Sequence, residues 1–366
     1  MSFLAGTLSQ FWLTIQGTLF PWLQQELGEL SEKQKQLIAI LELISVESFI
    51  SNSRGYTGRP PEDRRAIARA FVTKAFYNLS TTRQLLERLQ SDDKLRRVCG
   101  WERPSELPSE ATFSRAFAEF SRSQLAVKVH AAVIEQYERP RLVGHISRDS
   151  TEISVRERAV VKSKLTPPFV RKRGRPRKGE VVPPKPLTRL QRQQNMSLQE
   201  MINDLPQLCD HGSKRDSRGY QQHWVGYKLH LDVADGQLPI SCLLTSASLH
   251  DSQVALPLAT MTAQRVTNLY DLMDAAYDAE IIREHSRSLG HEPIIAHCRR
   301  WGAKRELAPH QEMRFRERTA VERVYARLKE EFGGRLVRVR GPAKVMTSLM
   351  FGILVLTADQ LLRLVV

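Results

Sequence analysis

Cysteine is scarce in this chain: 366 residues contain four, Cys99, Cys209, Cys242 and Cys298, with no Cys-x-x-Cys pair among them. That distribution argues against a disulfide framework or a zinc knuckle and suits a reducing, cytoplasmic compartment. Cys209 with His211, or His297 with Cys298, would have to build any metal site, and neither has a usual ligand spacing. No basic residue precedes Lys33, so the apolar N-terminus lacks the charged start of a secretory signal. Apolar runs are short as well. Val345 to Ala358 gives 14 residues before Asp359, Gln360 and Arg363, where a membrane-spanning helix needs roughly 20. Residues 346–366 therefore read as a buried closing helix, and no membrane partner is expected.

Negative charge is in deficit. Asp and Glu number 40 against 55 Lys and Arg, a net charge of +15. The surplus is concentrated in residues 156–195, where 13 basic side chains face only Glu157 and Glu180. A cationic stretch of this kind attracts polyphosphate through counterion release, although charge runs also serve merely as solvated linkers. At 366 residues, two or three domains are expected, since roughly 100–200 residues per domain is usual.

Residues 1–140 carry a helical period. Ile67, Ala70, Phe71 and Ala75 recur at helical spacing, as do Phe113, Ala116, Phe117 and Phe120 behind a Pro108-Ser109 start in which Ser109 can cap. Arg96, Arg97, Arg115 and Arg122 are left for outer faces. Such a domain fits a helix-turn-helix-like reader of DNA ends, and equally a helical bundle that only packs on a neighbour. From Leu142 the period changes to strands: Leu142 to Arg148, then Tyr227 to Val233 turning at Asp235-Gly236 into Leu238 to Thr245. Helix (251–266), strand (268–273), helix (278–288), strand (293–296) and helix (314–332) follow. Three antiparallel strands and then alternating helices and strands describe an α/β mixed sheet of ribonuclease H-like topology, here over residues 141–345. Residues 157–221, rich in Pro and charge, read as an insertion that is partly disordered until it meets DNA.

Three acids stand where such a fold places chemistry. Asp149 is expected at the end of the first strand, Asp274 directly follows the strand 268–273, and Glu322 lies on a later helix. Breaking a phosphodiester calls for an activated nucleophile on one side and a stabilised leaving oxygen on the other. Two hard divalent ions, Mg²⁺ with Mn²⁺ able to substitute, supply both when carboxylates hold them. Phe315, Arg318, Glu322, Tyr325 and Lys329 share one helical stripe, which puts Arg318 and Lys329 beside Glu322 as phosphate contacts. Each acid alone has an ordinary explanation as a turn, a cap or a surface pair. Asp251 competes with Asp274 as the second carboxylate, but Ser248-Leu249-His250-Asp251 also reads as a helix cap.

On these residues the chain resembles the DDE transposases of bacterial insertion sequences, in the insertion-sequence-4 and -5 grouping. Phe315, Arg318, Glu322 and Lys329 match the family's Tyr-x2-Arg-x3-Glu-x6-Lys signature with Phe in the first place. Asp149-Ser150-Thr151 is similar to the first aspartate motif, and Asp274-Ala275-Ala276-Tyr277-Asp278 to the family's Asp-x-Gly-Tyr-Asp. The resemblance implies Asp149, Asp274 and Glu322 as catalytic metal ligands and two Mg²⁺ ions. It also implies cleavage at inverted repeats, joining of the 3′-hydroxyl to target DNA, and a homodimer on DNA. Lys172, Arg173, Arg175, Arg177 and Lys178 surround an Arg-Gly-Arg-Pro core that resembles an AT-hook, which lays guanidinium groups in a narrow minor groove; a plain basic linker is the other reading. A metal-dependent nuclease of the same fold, or a non-catalytic DNA-binding regulator derived from a transposase, would share much of this pattern.

Overall fold

The computed structural model describes residues 2–51, 62–160, 186–215, 219–297 and 306–364. The AT-hook-like residues Lys172, Arg173, Arg175, Arg177 and Lys178, and Cys298, lie outside them.

The first layer is helical: α1 (Ser2–Thr14), α2 (Phe20–Leu27), α3 (Glu32–Ile44), α4 (Arg64–Phe76), α5 (Thr82–Ser91), α6 (Asp93–Cys99), α7 (Glu110–Ser123) and α8 (Leu125–Tyr137). Side chains start these helices as the sequence dictates. Ser31 with Gln34 and Thr81 with Gln84 form reciprocal capping boxes, and Ser109 accepts from the Thr112 amide. The apolar stripe of α7 is buried around Phe71 of α4, whose ring lies 5.8 Å from Phe113, 5.0 Å from Phe117 and 6.2 Å from Phe120. Arg96 departs from expectation. It is 3% exposed, because its guanidinium donates to the carbonyls of Leu89 and Gln90 and pairs with Asp93, closing the α5–α6 corner from within.

The strands are β1 (Leu142–Ser154), β2 (Asp210–Arg215), β3 (Gln221–Ala234), β4 (Leu238–Ser246), β5 (Thr267–Met273) and β6 (Glu292–Ile295). They lie in the order β4–β3–β1–β5–β6, with β2 paired to the first half of β3. β1, β3 and β4 are antiparallel, whereas β1, β5 and β6 run parallel. This is the ribonuclease H-like mixed sheet, following an all-helical N-terminal region. Helices cover both faces. On one lie α11 (Ala255–Ala263) and α12 (Glu280–Ser288). On the other lie α14 (Thr319–Glu330), reached through α13 (Pro309–Phe315) and a short turn, and α15 (Pro342–Arg363).

Two expectations change. β1 runs on to Ser154, so Asp149 is inside the strand, held there by pairing with β3 after β5 has ended. The second half of the insertion is folded as α9 (Arg189–Gln193), α10 (Leu198–Asp204) and β2. Apolar side chains placed among the charges explain this: Leu190, Met196 and Met201 pack on Met273, Tyr277 and Ile295, while Leu205 joins Leu243, Leu249 and Leu258.

α15 is long and apolar enough to cross a membrane, but 83% of its most apolar stretch is buried inside the protein. It packs on α3, α4, α7 and α8 on one side and on β4 and α14 on the other. A single hydrophobic cluster consequently runs from Leu8 to Leu362. The close approach depends on Gly352, where an added Cβ would stand 2.4 Å from the Phe332 carbonyl oxygen. Overpacking of this kind costs about 1–3 kcal/mol. Gly352→Ala should lower the unfolding free energy by that amount, seen as a lower urea midpoint, and an unchanged midpoint would show that the helix can move aside.

Candidate active site

Register brings the first two carboxylates together. Arg148 with Met273 is the last parallel pair between β1 and β5, so Asp149 and Asp274 follow side by side at the step where β5 stops. The Asp149 carboxylate is 22% exposed, and its Oδ1 accepts from the Ser150 amide at 2.7 Å. Burial pushes its pKa up to about 6, helped by the charges of Asp274 and Asp251 against Ser150 and Arg318. Asp274 caps the 3₁₀ turn Ala275–Tyr277, accepting from the Ala276 amide at 3.0 Å. Burial, reinforced by Asp251, raises it too. Both carboxylates thus resist ionisation, chiefly because they are buried and secondarily because other acids stand near.

Glu322 comes from α14 on the sheet face that Asp149 shares. The helix is set by Tyr325, which shares a stripe with the exposed Glu322 but is itself 6% exposed. Its hydroxyl donates to the Asp149 carbonyl at 2.6 Å and to the Leu229 carbonyl at 3.1 Å, tying α14 to β1 and β3. Arg318 then lies between the acids, 3.4 Å from Asp149 Oδ2 and 2.7 Å from Glu322 Oε1. Phe315 lies under its guanidinium, 5.8 Å from ring centre to Arg318 Cζ. Lys329 is paired with Glu152 at 2.8 Å. Burial works to raise Glu152, but hydrogen bonds from Lys214 and Lys329 outweigh it and bring its pKa to about 2.

A preassembled three-carboxylate cage is not what these residues form. Among the described residues no three His, Cys, Asp or Glu side chains stand close enough to hold an ion, and Arg318 neutralises Asp149 and Glu322 in its place. The donor chemistry nevertheless suits a hard divalent cation: the acidic groups are all carboxylates, two of them destabilised first by burial and then by neighbouring negative charge. Asp149 and Asp274 are the residues that would hold such an ion, with Glu322 joining them on leaving Arg318.

Asp251 is near but differently employed. Its carboxylate is 3.0 Å from Lys228 Nζ. Burial tends to raise it, while His230, Lys228 and the Ser150 hydroxyl prevail and lower it. Ser150 follows Asp149 along β1 and therefore points to the opposite face. On that face lies a buried network that sequence reasoning missed. Arg148, 1% exposed, grips Asp232 of β3 with two 2.7 Å bonds and reaches Met273 Sδ at 3.4 Å. Thr262 of α11 adds 2.7 Å to the same Asp232 carboxylate. Polar residues alternating along β3 were the signal that could have found it.

A ribonuclease H-like sheet with an acid inside its first strand beside one that directly follows the neighbouring parallel strand, behind a helical layer, defines a polynucleotidyl-transferase type of protein. Residues 149–358 match the Transposase DDE domain family and residues 25–119 the Transposase domain (DUF772) family. The chain belongs to the DDE transposase family. No curated protein and no solved structure matches it. DDE transposases generally use divalent metal ions and act on DNA.

Proposed function

We propose that this transposase hydrolyses a strand at each end of its own element and joins the freed 3′-hydroxyl to target DNA, with Asp149, Asp274 and Glu322 as the catalytic carboxylates. The observation that carries the assignment is the β1–β5 register, which makes Asp149 and Asp274 neighbours while Asp251 is held by Lys228 on the far side of β1. Mg²⁺, with Mn²⁺ as a substitute, is the proposed cofactor; bound there it would polarise the scissile phosphate and the attacking oxygen. The chain's own residues prepare that step. Tyr325 fixes the backbone of Asp149, Arg318 supplies a guanidinium able to exchange its carboxylate partners for phosphate oxygens, and Lys329 stands over Glu152 within the same stripe.

The placing in the insertion-sequence-4/5-like grouping belongs to this proposal and rests on the Phe315–Arg318–Glu322–Lys329 spacing. So does a dimer on DNA, because two ends need two sites, and so do the domain limits at 140 and 345. Incubation with linear element ends, target plasmid and Mg²⁺ should yield joined products. Cleaved ends without joined products would favour the metal-dependent nuclease, and no cleavage at all the non-catalytic DNA-binding regulator.

A further inference from the structure

We propose that Lys228 and Asp251, with Ser150, are positioning residues: together they lock the strand that carries Asp149 to the turn that carries Asp274, and so set the spacing of the two carboxylates. The inference rests on the proposed catalytic role of those two acids and names what holds them in place.

The sheet alone does not hold both. Ladder pairing between β1 and β5 ends at Arg148 and Met273, so Asp274 follows where β5 has no further hold on β1. Its carboxylate caps the Ala275–Tyr277 turn through the Ala276 amide and therefore moves with that turn. Asp149 is fixed separately, by pairing with β3 and by Tyr325. Acids that share an ion need placement good to about 0.5 Å, which packing and hydrogen bonds behind them must supply.

The lock lies on the sheet face opposite Asp149. Lys228 and His230 of β3 share that face with their cross-strand partners on β1, Glu152 and Ser150. The Lys228 ammonium donates to the Leu249 carbonyl at 2.8 Å and to Asp251 Oδ1 at 3.0 Å, gripping the chain on both sides of His250. The Ser150 hydroxyl donates to the same carboxylate. Asp251 is thereby tied both to β3 and to the residue next to Asp149. The 3₁₀ turn Asp251–Val254 packs on the turn Ala275–Tyr277. Just after it, Ala255 and Leu256 share an apolar cluster with Met273, Ala276 and Tyr277. Contact is thus continuous from the neighbour of Asp149 to the neighbours of Asp274.

Charge fits the same role. Asp251 is close enough to Asp149 and Asp274 for its charge to oppose ionisation of both. A third acid left free there would repel the other two or compete with them for a cation. Lys228 engages it instead. The two side chains are 15% and 22% exposed, so the ammonium offsets the carboxylate in a poorly hydrated place.

Two measurements test this on the full-length protein: Mn²⁺ binding, followed by loss of the free-ion electron paramagnetic resonance signal, and the Mg²⁺ dependence of end cleavage. Removing a group that orients a metal ligand costs about 10–100-fold in metal affinity or activity. Lys228→Met and Asp251→Ala should each weaken Mn²⁺ binding by about that factor and raise the Mg²⁺ needed for half-maximal cleavage in step. Asp251→Asn should stay near wild type in both, because its amide oxygen still accepts from Lys228 and its amide nitrogen can donate to the Ser150 hydroxyl. A purely structural role would lower Tm and leave the metal affinity of the folded protein unchanged. If Asp251→Asn loses Mn²⁺ as completely as Asp149→Asn, Asp251 is itself a ligand and the positioning role is wrong. Wild-type affinity in both Lys228→Met and Asp251→Ala overturns it as well. If Lys228→Met does not fold, Ser150→Ala takes its place, with weakened binding expected and wild-type affinity counting against the lock. A wild type that neither binds Mn²⁺ nor cleaves DNA would instead remove the catalytic reading of Asp149 and Asp274.

Discussion

Asp149→Asn, Asp274→Asn and Glu322→Gln should each lower cleavage of DNA ends by at least about 10³-fold, on the reasoning that a metal's stabilisation of developing charge is worth several kcal/mol and each 1.36 kcal/mol is tenfold. DNA affinity should stay near wild type, because the basic residues of 156–195 are untouched. The amide replacements are conservative where it matters for folding. Asn at 149 still accepts from Ser150, and Asn at 274 from Ala276. Stability should hold or rise in the two aspartate variants, since burial and neighbouring negative charge already disfavour their ionised forms. Loss of activity with a gain in Tm separates a chemical role from a structural one. Gel assays of end cleavage with Mg²⁺ and thermal melts of the same preparations measure both. Cleavage at the wild-type level by any one variant removes that residue from the site.

The second large effect is on stability. Arg148→Met or Asp232→Leu alone should cost about 3–5 kcal/mol, because either leaves its partner charged and buried. Both side chains are almost fully enclosed, at 1% and 0% exposure. Burial alone would favour a neutral Arg148, but the Asp232 and Asp271 carboxylates outweigh it and hold the guanidinium charged. The double variant should recover most of the loss, since an apolar pair of similar volume removes both desolvation penalties. Urea unfolding of the four proteins gives the coupling directly. Additive losses would show that the two residues stabilise the sheet independently and that the ion pair is not the clamp.

Much of the fold was legible because period and punctuation agreed. The α7 stripe at Phe113, Ala116, Phe117 and Phe120 and the turn at Asp235-Gly236 carry strong local signals, and both are where the sequence placed them. The length of β1 was not legible. Asp149-Ser150-Thr151 reads as a strand end by composition, and only pairing with Leu229 to Leu231 of β3 keeps it extended. The α9–α10 segment was hidden for another reason, its few apolar anchors being outnumbered by charge although Thr188 and Ser197 mark two helix starts. At the candidate site, the carboxylates themselves could be picked out by spacing. So could two of their present partners, Asp274 as a cap and Arg318 beside Glu322, but the second contact of Arg318 with Asp149, and Tyr325 reaching two carbonyls, could not, because they depend on how α14 crosses the sheet.

The position of α15 in the chain sets an order of events during synthesis. The helix that fills the seam between the two halves spans Pro342–Arg363 and leaves the ribosome after every element it touches. Until then, the oily surfaces of α3, α4, α7, α8 and β4 wait uncovered, a state in which nascent chains attract chaperones and aggregate. A frameshift or early stop upstream of residue 342 would therefore abolish the whole protein, its helical half included.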